Sequence, residues 1–69
     1  MQKSKNKSLG LRFKEARERK KLTQEAVASQ ADMTETYYAM TERGETNPSW
    51  NKLEKLAKVL GLKLSIEDK

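Results

Sequence analysis

Two short helical patterns lie between Leu22 and Gly44, and the tight turn between them is the part of the sequence with recognisable chemistry. Thr23 stands at the N-cap position of the first pattern and Thr34 at that of the second. Only Ala31-Asp32-Met33 separates them. So short a turn predicts a sharp angle, which leaves the outer face of the second helix free to enter the major groove of DNA. The same spacing is also typical of small helical modules that bind proteins.

The composition excludes most catalytic and metal chemistry. The 69 residues include no histidine and no cysteine, so the usual zinc ligands, the usual general base at neutral pH and any disulfide are absent. The sequence has no glycine-rich phosphate loop and no carboxylate pair with catalytic spacing. A chain of this length forms one small domain with a thin core. We therefore expect no enzyme activity, no metal and no cofactor.

The positive charge of the chain is unevenly distributed. Fifteen Lys and Arg against ten Asp and Glu give a net charge of +5, which favours a polyanionic partner. Residues 1–21 carry nine basic and two acidic side chains (+7), residues 22–48 one and five (−4), and residues 49–69 five and three (+2). The segment with the two helical patterns is thus acidic. Its attraction to DNA must come from cations around it.

The first eight residues contain three lysines and no apolar residue after Met1. This pattern predicts a flexible basic arm over residues 1–8, followed by a single domain over residues 9–69. The arm either contacts the backbone or minor groove of DNA or is a solvated tail. It lacks the apolar centre of a signal peptide, and no apolar run approaches the roughly 20 residues of a membrane helix. We therefore expect a cytoplasmic protein.

Two further helical patterns flank the central pair. Ser8 is expected to cap a first helix that extends to about Lys20, and Ser49 to cap a fourth that ends at Gly61. Their apolar stripes consist of Leu9, Phe13 and Ala16 and of Leu53, Leu56, Ala57 and Leu60. The segment Leu62–Ile66 is either a strand or one helical turn. The sequence therefore predicts an all-α, compact bundle of four to five short helices.

These motifs resemble those of the phage-repressor and Cro type of helix-turn-helix regulators, the XRE family. The resemblance covers most of the chain, and the motifs that carry it are Leu9-Gly10, Arg12, Arg17, Leu22-Thr23-Gln24-Glu25, Ala28, Tyr37, Glu42-Arg43-Gly44, Asn47-Pro48-Ser49 and Leu53 through Leu56-Ala57 to Leu60-Gly61. It implies a lambda-repressor-like fold whose helices 2 and 3 form the helix-turn-helix. It also implies a sequence-specific regulator of transcription, a repressor, that binds double-stranded DNA as a homodimer on a palindromic operator.

The resemblance also places DNA contacts on particular residues. The base contacts fall on the outer face of the third helix, at Glu35, Thr36, Ala39 and Met40. The backbone phosphates are expected to meet Gln24 at the start of the second helix, Thr23 beside it, and the hydroxyl of Tyr37. The charge distribution adds four candidate phosphate contacts, which are Lys20, Lys21, Arg43 and Asn47.

Other matching positions are structural. The resemblance implies an ion pair between Arg17 and Glu42, which ties the first helix to the end of the third. Tyr38 and Thr41 match positions that face inward. Two departures affect this framework, because Asp32 stands where relatives often have glycine and Thr41 where they usually have a larger aliphatic residue. We therefore expect a slightly strained turn and a looser core beneath the third helix.

The outer face of the third helix departs from the family as well. Glu35 either accepts a hydrogen bond from a cytosine amino group or only stabilises the positive end of its helix. Ala39 and Met40 suit thymine methyl groups but lack the bidentate hydrogen bonds that discriminate best between bases. Sequence specificity is therefore expected to be modest or based on DNA shape.

The C-terminal apolar residues bear on partners. Trp50 either packs against the start of the fourth helix or is buried by a second subunit. Leu62, Leu64 and Ile66 form a tail too short to cover its own apolar groups, so we expect them at a homodimer interface. The rival interpretation is an antitoxin or adaptor whose main role is to bind a partner protein, with DNA binding secondary. The acidic central segment supports that rival.

Overall fold

The computed structural model describes the backbone of residues 3–63 and the side chains of residues 7–63, and this part of the chain contains four helices and no strand. The helices are α1 (Lys3–Arg19), α2 (Gln24–Gln30), α3 (Glu35–Glu42) and α4 (Trp50–Leu60). The predicted all-α bundle, with α2 and α3 as the central pair, is therefore confirmed. Leu64 and Ile66 lie outside the described residues, and so does the choice between a strand and a helical turn for this segment.

Three of the helices begin at the predicted N-caps. The hydroxyl oxygens of Thr23, Thr34 and Ser49 each accept a hydrogen bond from the backbone amide three residues later, at 3.0, 3.0 and 3.3 Å. Each cap has extended backbone dihedrals. Such a cap stabilises a helix by about 1 kcal/mol because it satisfies an amide that the helix leaves free. The starts of α2, α3 and α4 are therefore local properties of the sequence.

The predicted start of α1 is wrong. The helix begins at Lys3, and Ser8 is an exposed residue inside it rather than its N-cap. Residues 3–8 contain no glycine or proline, and lysine is a good helix former, so nothing in the sequence stops the helix at Ser8. The backbone of the segment predicted as a flexible arm is thus helical from Lys3 onward.

Each of the four described helices is followed, one or two positions after its last residue, by a residue in the left-handed backbone conformation. These residues are Lys21, Asp32, Gly44 and Gly61, with φ angles of 60, 62, 79 and 71°. The amide after each of them donates a hydrogen bond to the carbonyl five residues earlier, at 2.8–3.1 Å. A left-handed residue other than glycine costs roughly 1–2 kcal/mol. The turns at Lys21 and Asp32 keep this backbone because the residues that follow, Leu22 and Met33, pack against the core.

The core lies where the four helices meet, and its largest fully buried side chains are Phe13, Val27, Tyr38 and Leu56. Helix α1 comes closest to the end of α3 at Gly10. A β-carbon at Gly10 would lie 2.8 Å from the carbonyl carbon of Glu42 and closer still to the carbonyl oxygens of Thr41 and Glu42. The missing side chain of Gly10 therefore sets the distance between α1 and the C-terminal end of α3.

We predict that Gly10→Ala destabilises the protein by about 1–3 kcal/mol, because the added methyl group must push two backbone segments apart. Helix propensity alone gives the opposite sign, since alanine is favoured over glycine by about 1 kcal/mol inside a helix. Urea unfolding measures the difference. Ser8→Ala, at an exposed position of the same helix, serves as the control and should leave stability unchanged or slightly higher. A stabilised Gly10→Ala variant would contradict the close approach.

Candidate nucleic-acid interface

The outer face of α3 brings together the residues predicted to contact bases. Glu35 and Thr36 are exposed, and Ala39 and Met40 are partly exposed. Their spacing of one, four and five residues from Glu35 places all of them on one side of a helix with 3.6 residues per turn. The opposite side carries Tyr38, which is fully buried. Helix α3 therefore has a solvent-facing side that remains available for a ligand.

Glu35 is the first residue of α3, directly after the cap at Thr34. Its negative charge lies at the positive end of the helix dipole, where it is favourable. It has no ion-pair partner among the side chains that the structure describes. Both interpretations of Glu35, as a cytosine acceptor and as a helix-stabilising charge, are compatible with this position.

Thr41 is buried beneath α3, with 3% of its surface exposed. Its hydroxyl donates to the carbonyl of Tyr37 at 2.9 Å and lies 2.8 Å from the hydroxyl oxygen of Thr46. The hydroxyl that replaces the family's larger aliphatic group is thus hydrogen-bonded, and it connects the end of α3 to the loop before α4. A looser core at Thr41 stays a prediction.

The structure brings Arg17 and Glu42 together at the junction of three helices. The Nε of Arg17 donates to Oε2 of Glu42 at 2.6 Å, and its Nη2 to Oε1 at 3.3 Å. The Nη1 of Arg17 donates to the carbonyl of Leu22 at 3.0 Å, and the side-chain amide of Gln24 donates to Oε1 of Glu42 at 3.0 Å. The carboxylate of Glu42 therefore links α1, the first residue of α2 and the last residue of α3.

Burial by itself would raise the pKa of Glu42, but the hydrogen bonds from Arg17 and Gln24 outweigh it, and the pKa is lowered from its ordinary value of 4.5. The same contact raises the pKa of Arg17. The side chains of Arg17 and Glu42 are 14% and 5% exposed, so solvent screens the pair only weakly. This carboxylate stays charged at neutral pH and stabilises the angle between α1 and α3.

Tyr38 lies beside this pair, with no exposed surface. Its buried hydroxyl forms no well-aligned hydrogen bond with a described residue. Burial and the neighbouring carboxylate of Glu42 raise the pKa of Tyr38. Tyr38 is therefore a neutral core residue at any physiological pH, in keeping with its predicted inward position.

Gln24 has a structural contact that sequence reasoning did not assign to it. One N–H of its side-chain amide is directed at Glu42. A glutamine amide has two N–H groups and one carbonyl oxygen, so a phosphate contact remains open to the rest of the group. Thr23, next to it, is exposed while its hydroxyl caps α2.

Tyr37 and Lys52 form a contact that the sequence did not reveal. The ammonium group of Lys52 lies 5.5 Å from the centre of the Tyr37 ring, at the distance of a cation–π interaction. No signal points to this pair, because fifteen positions separate the two residues and they lie on different helices. Lys52 thus contacts the ring of Tyr37, the residue whose hydroxyl is predicted to contact the DNA backbone.

The remaining predicted phosphate contacts are not all near one another. Arg43 donates from Nε and Nη2 to the carboxylate of Glu45, at 3.2 and 3.1 Å, with both side chains exposed. Asn47 and Lys21 are exposed as well. The side chain of Lys20 lies instead against Gly61, at the C-terminal end of α4. There its positive charge faces the negative end of a helix, and a phosphate contact by Lys20 stays a prediction.

A model of the helix-turn-helix domain matches residues 8–65. This chain belongs to the helix-turn-helix domain family. The chain is 40% identical over 58 residues to the immunity repressor protein of Bacillus phage phi105, and this match covers 84% of this chain and 40% of that protein. It is 43% identical over 49 residues to the control protein C.MunI of Mycoplasma sp, which covers 71% of this chain and 66% of that protein.

The chain is also similar to a solved structure, the crystal structure of the restriction-modification controller protein C.AhdI from Aeromonas hydrophila. The TM-score is 0.83 at 32% identity, over 87% of this chain and 91% of that chain. These matches confirm the predicted helix-turn-helix domain and its resemblance to phage repressors. The chain spans 40% and 66% of the lengths of the two relatives matched by sequence.

Within residues 3–63, no helix of the protein is long and apolar enough to cross a membrane. The same part of the chain contains no group of three or more Asp and Glu residues placed to hold a metal ion.

We predict that Glu42→Gln lowers the free energy of unfolding by about 3 kcal/mol at pH 7, because it leaves the buried guanidinium of Arg17 without its counter-charge. Since the pKa of Glu42 is lowered in the folded protein, this stabilisation is complete above the unfolded value near 4.5 and is lost as the pH falls through the folded value.

Urea unfolding of the wild type and of Glu42→Gln at pH 7 and at pH 3 measures this change. The gap between the two proteins should be largest at pH 7 and smaller at pH 3, because the stabilisation decreases as the pH falls below 4.5. Glu45→Gln, which removes an exposed carboxylate, is the control and should show little effect at either pH. A gap for Glu42→Gln that does not depend on pH would contradict the role of its charge.

Proposed function

We propose that the protein is cytoplasmic and that it binds double-stranded DNA sequence-specifically, as a homodimer on a palindromic operator, to repress transcription. The observation that carries the proposal is the exposed outer face of α3, held at a fixed angle by the pair of Arg17 and Glu42. A helix in this position reads bases with residues near its N-terminus while the preceding helix contacts the backbone.

The proposed base contacts are Glu35, Thr36, Ala39 and Met40, and the proposed phosphate contacts are Lys20, Lys21, Thr23, Gln24, Tyr37, Arg43 and Asn47. Their exposure supports this division, since each of them is exposed or partly exposed. The short side chain of Thr36 can donate to or accept from a base edge. Lys21 can interact with the phosphates of the DNA backbone only through its charge, and such contacts do not distinguish one base sequence from another.

The proposed dimer interface lies on α4 and the residues after it. Trp50 is 45% exposed, so it does not pack fully into the core of its own subunit. A groove of about 480 Å³ runs along Trp50, Ala57 and Leu62. It is bordered by acidic and basic side chains, those of Glu54, Lys55 and Lys58. A patch with both charge signs suits a two-fold interface, in which the same surface meets itself.

A partner protein on the same α4 surface is the second candidate. The charge of −4 over residues 22–48 favours it, because an acidic reading helix is a poor non-specific DNA ligand. The two functions differ in what covers Trp50, which is a second copy of the chain in one case and a different protein in the other.

We predict that Thr36→Ala and Lys21→Ala weaken DNA binding in different ways. Thr36→Ala should reduce discrimination at one or two operator positions by about 1–3 kcal/mol. Lys21→Ala should weaken binding to all duplexes equally and lower the slope of log affinity against log salt by about 1. Titrations of the operator and of single-base variants over a range of salt measure both. The division of roles is wrong when the two substitutions prove equally sequence-selective.

We predict that Trp50→Ala weakens self-association about 10-fold to 100-fold, as expected for a central aromatic residue at an interface. Sedimentation equilibrium over a range of protein concentrations measures it. The matched control is Leu11→Ala, since Leu11 is the other large apolar residue with high exposure, at 53%, and lies on α1. Equal dimerisation of the wild type and Trp50→Ala would move the interface elsewhere, and a monomeric wild type would favour the partner-protein candidate.

A further inference from the structure

A second groove of the molecule lies between α1 and the ends of α2 and α3. It measures about 750 Å³. Lys7, Leu11 and Lys14 line it from α1, and Gln24 and Arg43 line it from the other side. Lys14 is not among the DNA contacts assigned from the sequence, and Lys7 was considered only as part of the basic arm over residues 1–8, with DNA contact as one of two alternatives. The fold brings these two cations next to two residues of the proposed phosphate-contact set.

The two lysines occupy one side of α1. They are seven residues apart with Leu11 between them, which in a helix places all three on the same face. Both lysines are exposed, and neither forms an ion pair with a described side chain. Their spacing along the helix axis is about 10 Å at 1.5 Å per residue. Two different phosphates of one DNA strand are within reach of such a pair.

The groove is electropositive although the helix-turn-helix segment is acidic. The one acidic side chain among the described residues that line it is Glu42. That carboxylate is 5% exposed and faces Arg17 at 2.6 Å. Its negative charge is therefore neutralised inside the fold, and the positive charges of Lys7 and Lys14 dominate the open side of the groove.

We propose that Lys7 and Lys14 bind phosphates of the DNA backbone, so that α1 forms a third contact element beside α2 and α3. This inference rests on the proposed function and adds the residues that supply its attraction to DNA. It also accounts for the uneven charge of the chain, because Lys7 and Lys14 lie beside the acidic segment over residues 22–48 and offset its negative charge. These contacts are electrostatic and independent of base sequence.

The test compares two double variants of the full chain. Lys7→Gln with Lys14→Gln removes two charges from the groove. Arg12→Gln with Arg19→Gln removes the same charge from exposed positions of the same helix, turned away from the groove. Thermal unfolding checks that both variants fold. Affinity for the operator duplex and for a scrambled duplex of equal length is then measured from about 0.05 to 0.3 M salt.

We expect the lysine variant to bind both duplexes about 50-fold more weakly near 0.1 M salt, with a salt slope lower by about 2. The arginine variant should stay within about 3-fold of the wild type. Equal losses in the two variants would show a general charge effect and overturn the groove contact, as would an unchanged lysine variant. A wild type that binds neither duplex would overturn the proposed function itself, which is a separate outcome.

Discussion

The geometry of this protein depends on one buried carboxylate. Glu42 ends α3, and its two oxygens accept hydrogen bonds from Arg17 of α1 and from Gln24 of α2. A buried charge is costly to leave unpaired. A change in the position of any of these three helices would therefore leave Arg17 or Glu42 without its hydrogen-bond partner. The network therefore restrains the angle of α3 in addition to the apolar packing of a small core.

The close approach at Gly10 and the left-handed turns support the same arrangement. Gly10 lets α1 come near the carbonyl groups at the end of α3, and this distance is what allows Arg17 to reach Glu42. Between α2 and α3, the left-handed backbone of Asp32 allows the short turn that connects the two helices. Backbone geometry and the ion pair thus lead to one result, an α3 with its outer face in solvent.

Local signals explain how much of the fold is predictable from the sequence. The N-caps at Thr23, Thr34 and Ser49 depend on residues within one turn, and they were correctly predicted. The start of α1 was missed because a serine is only one of several positions at which a helix can begin, and the lysine-rich segment before it is itself helix-forming. The left-handed backbone of Lys21 was not predicted either, because packing imposes it rather than the residue type.

The candidate site was less predictable because it depends on where long side chains lie. Lys7, Lys14 and Lys20 belong to one basic segment of the sequence. In the structure, however, the side chain of Lys20 lies at the C-terminal end of α4, whereas Lys7 and Lys14 line the groove beside Gln24. The contact between Lys52 and Tyr37 likewise joins residues of different helices. Charge counts along the chain do not contain this information, since lysine side chains have many rotamers and only the tertiary structure selects among them.

A map of backbone amide NMR shifts on titration with the operator duplex shows directly which helix of the protein faces DNA. We expect the largest changes on the outer face of α3 and at the start of α2, with smaller ones along the groove side of α1. Core amides around Leu56 of α4 should change little, because they lie away from the outer face of α3. Changes confined to α4 around Trp50, with α3 unaffected, would contradict the central claim that α3 is the element presented to DNA.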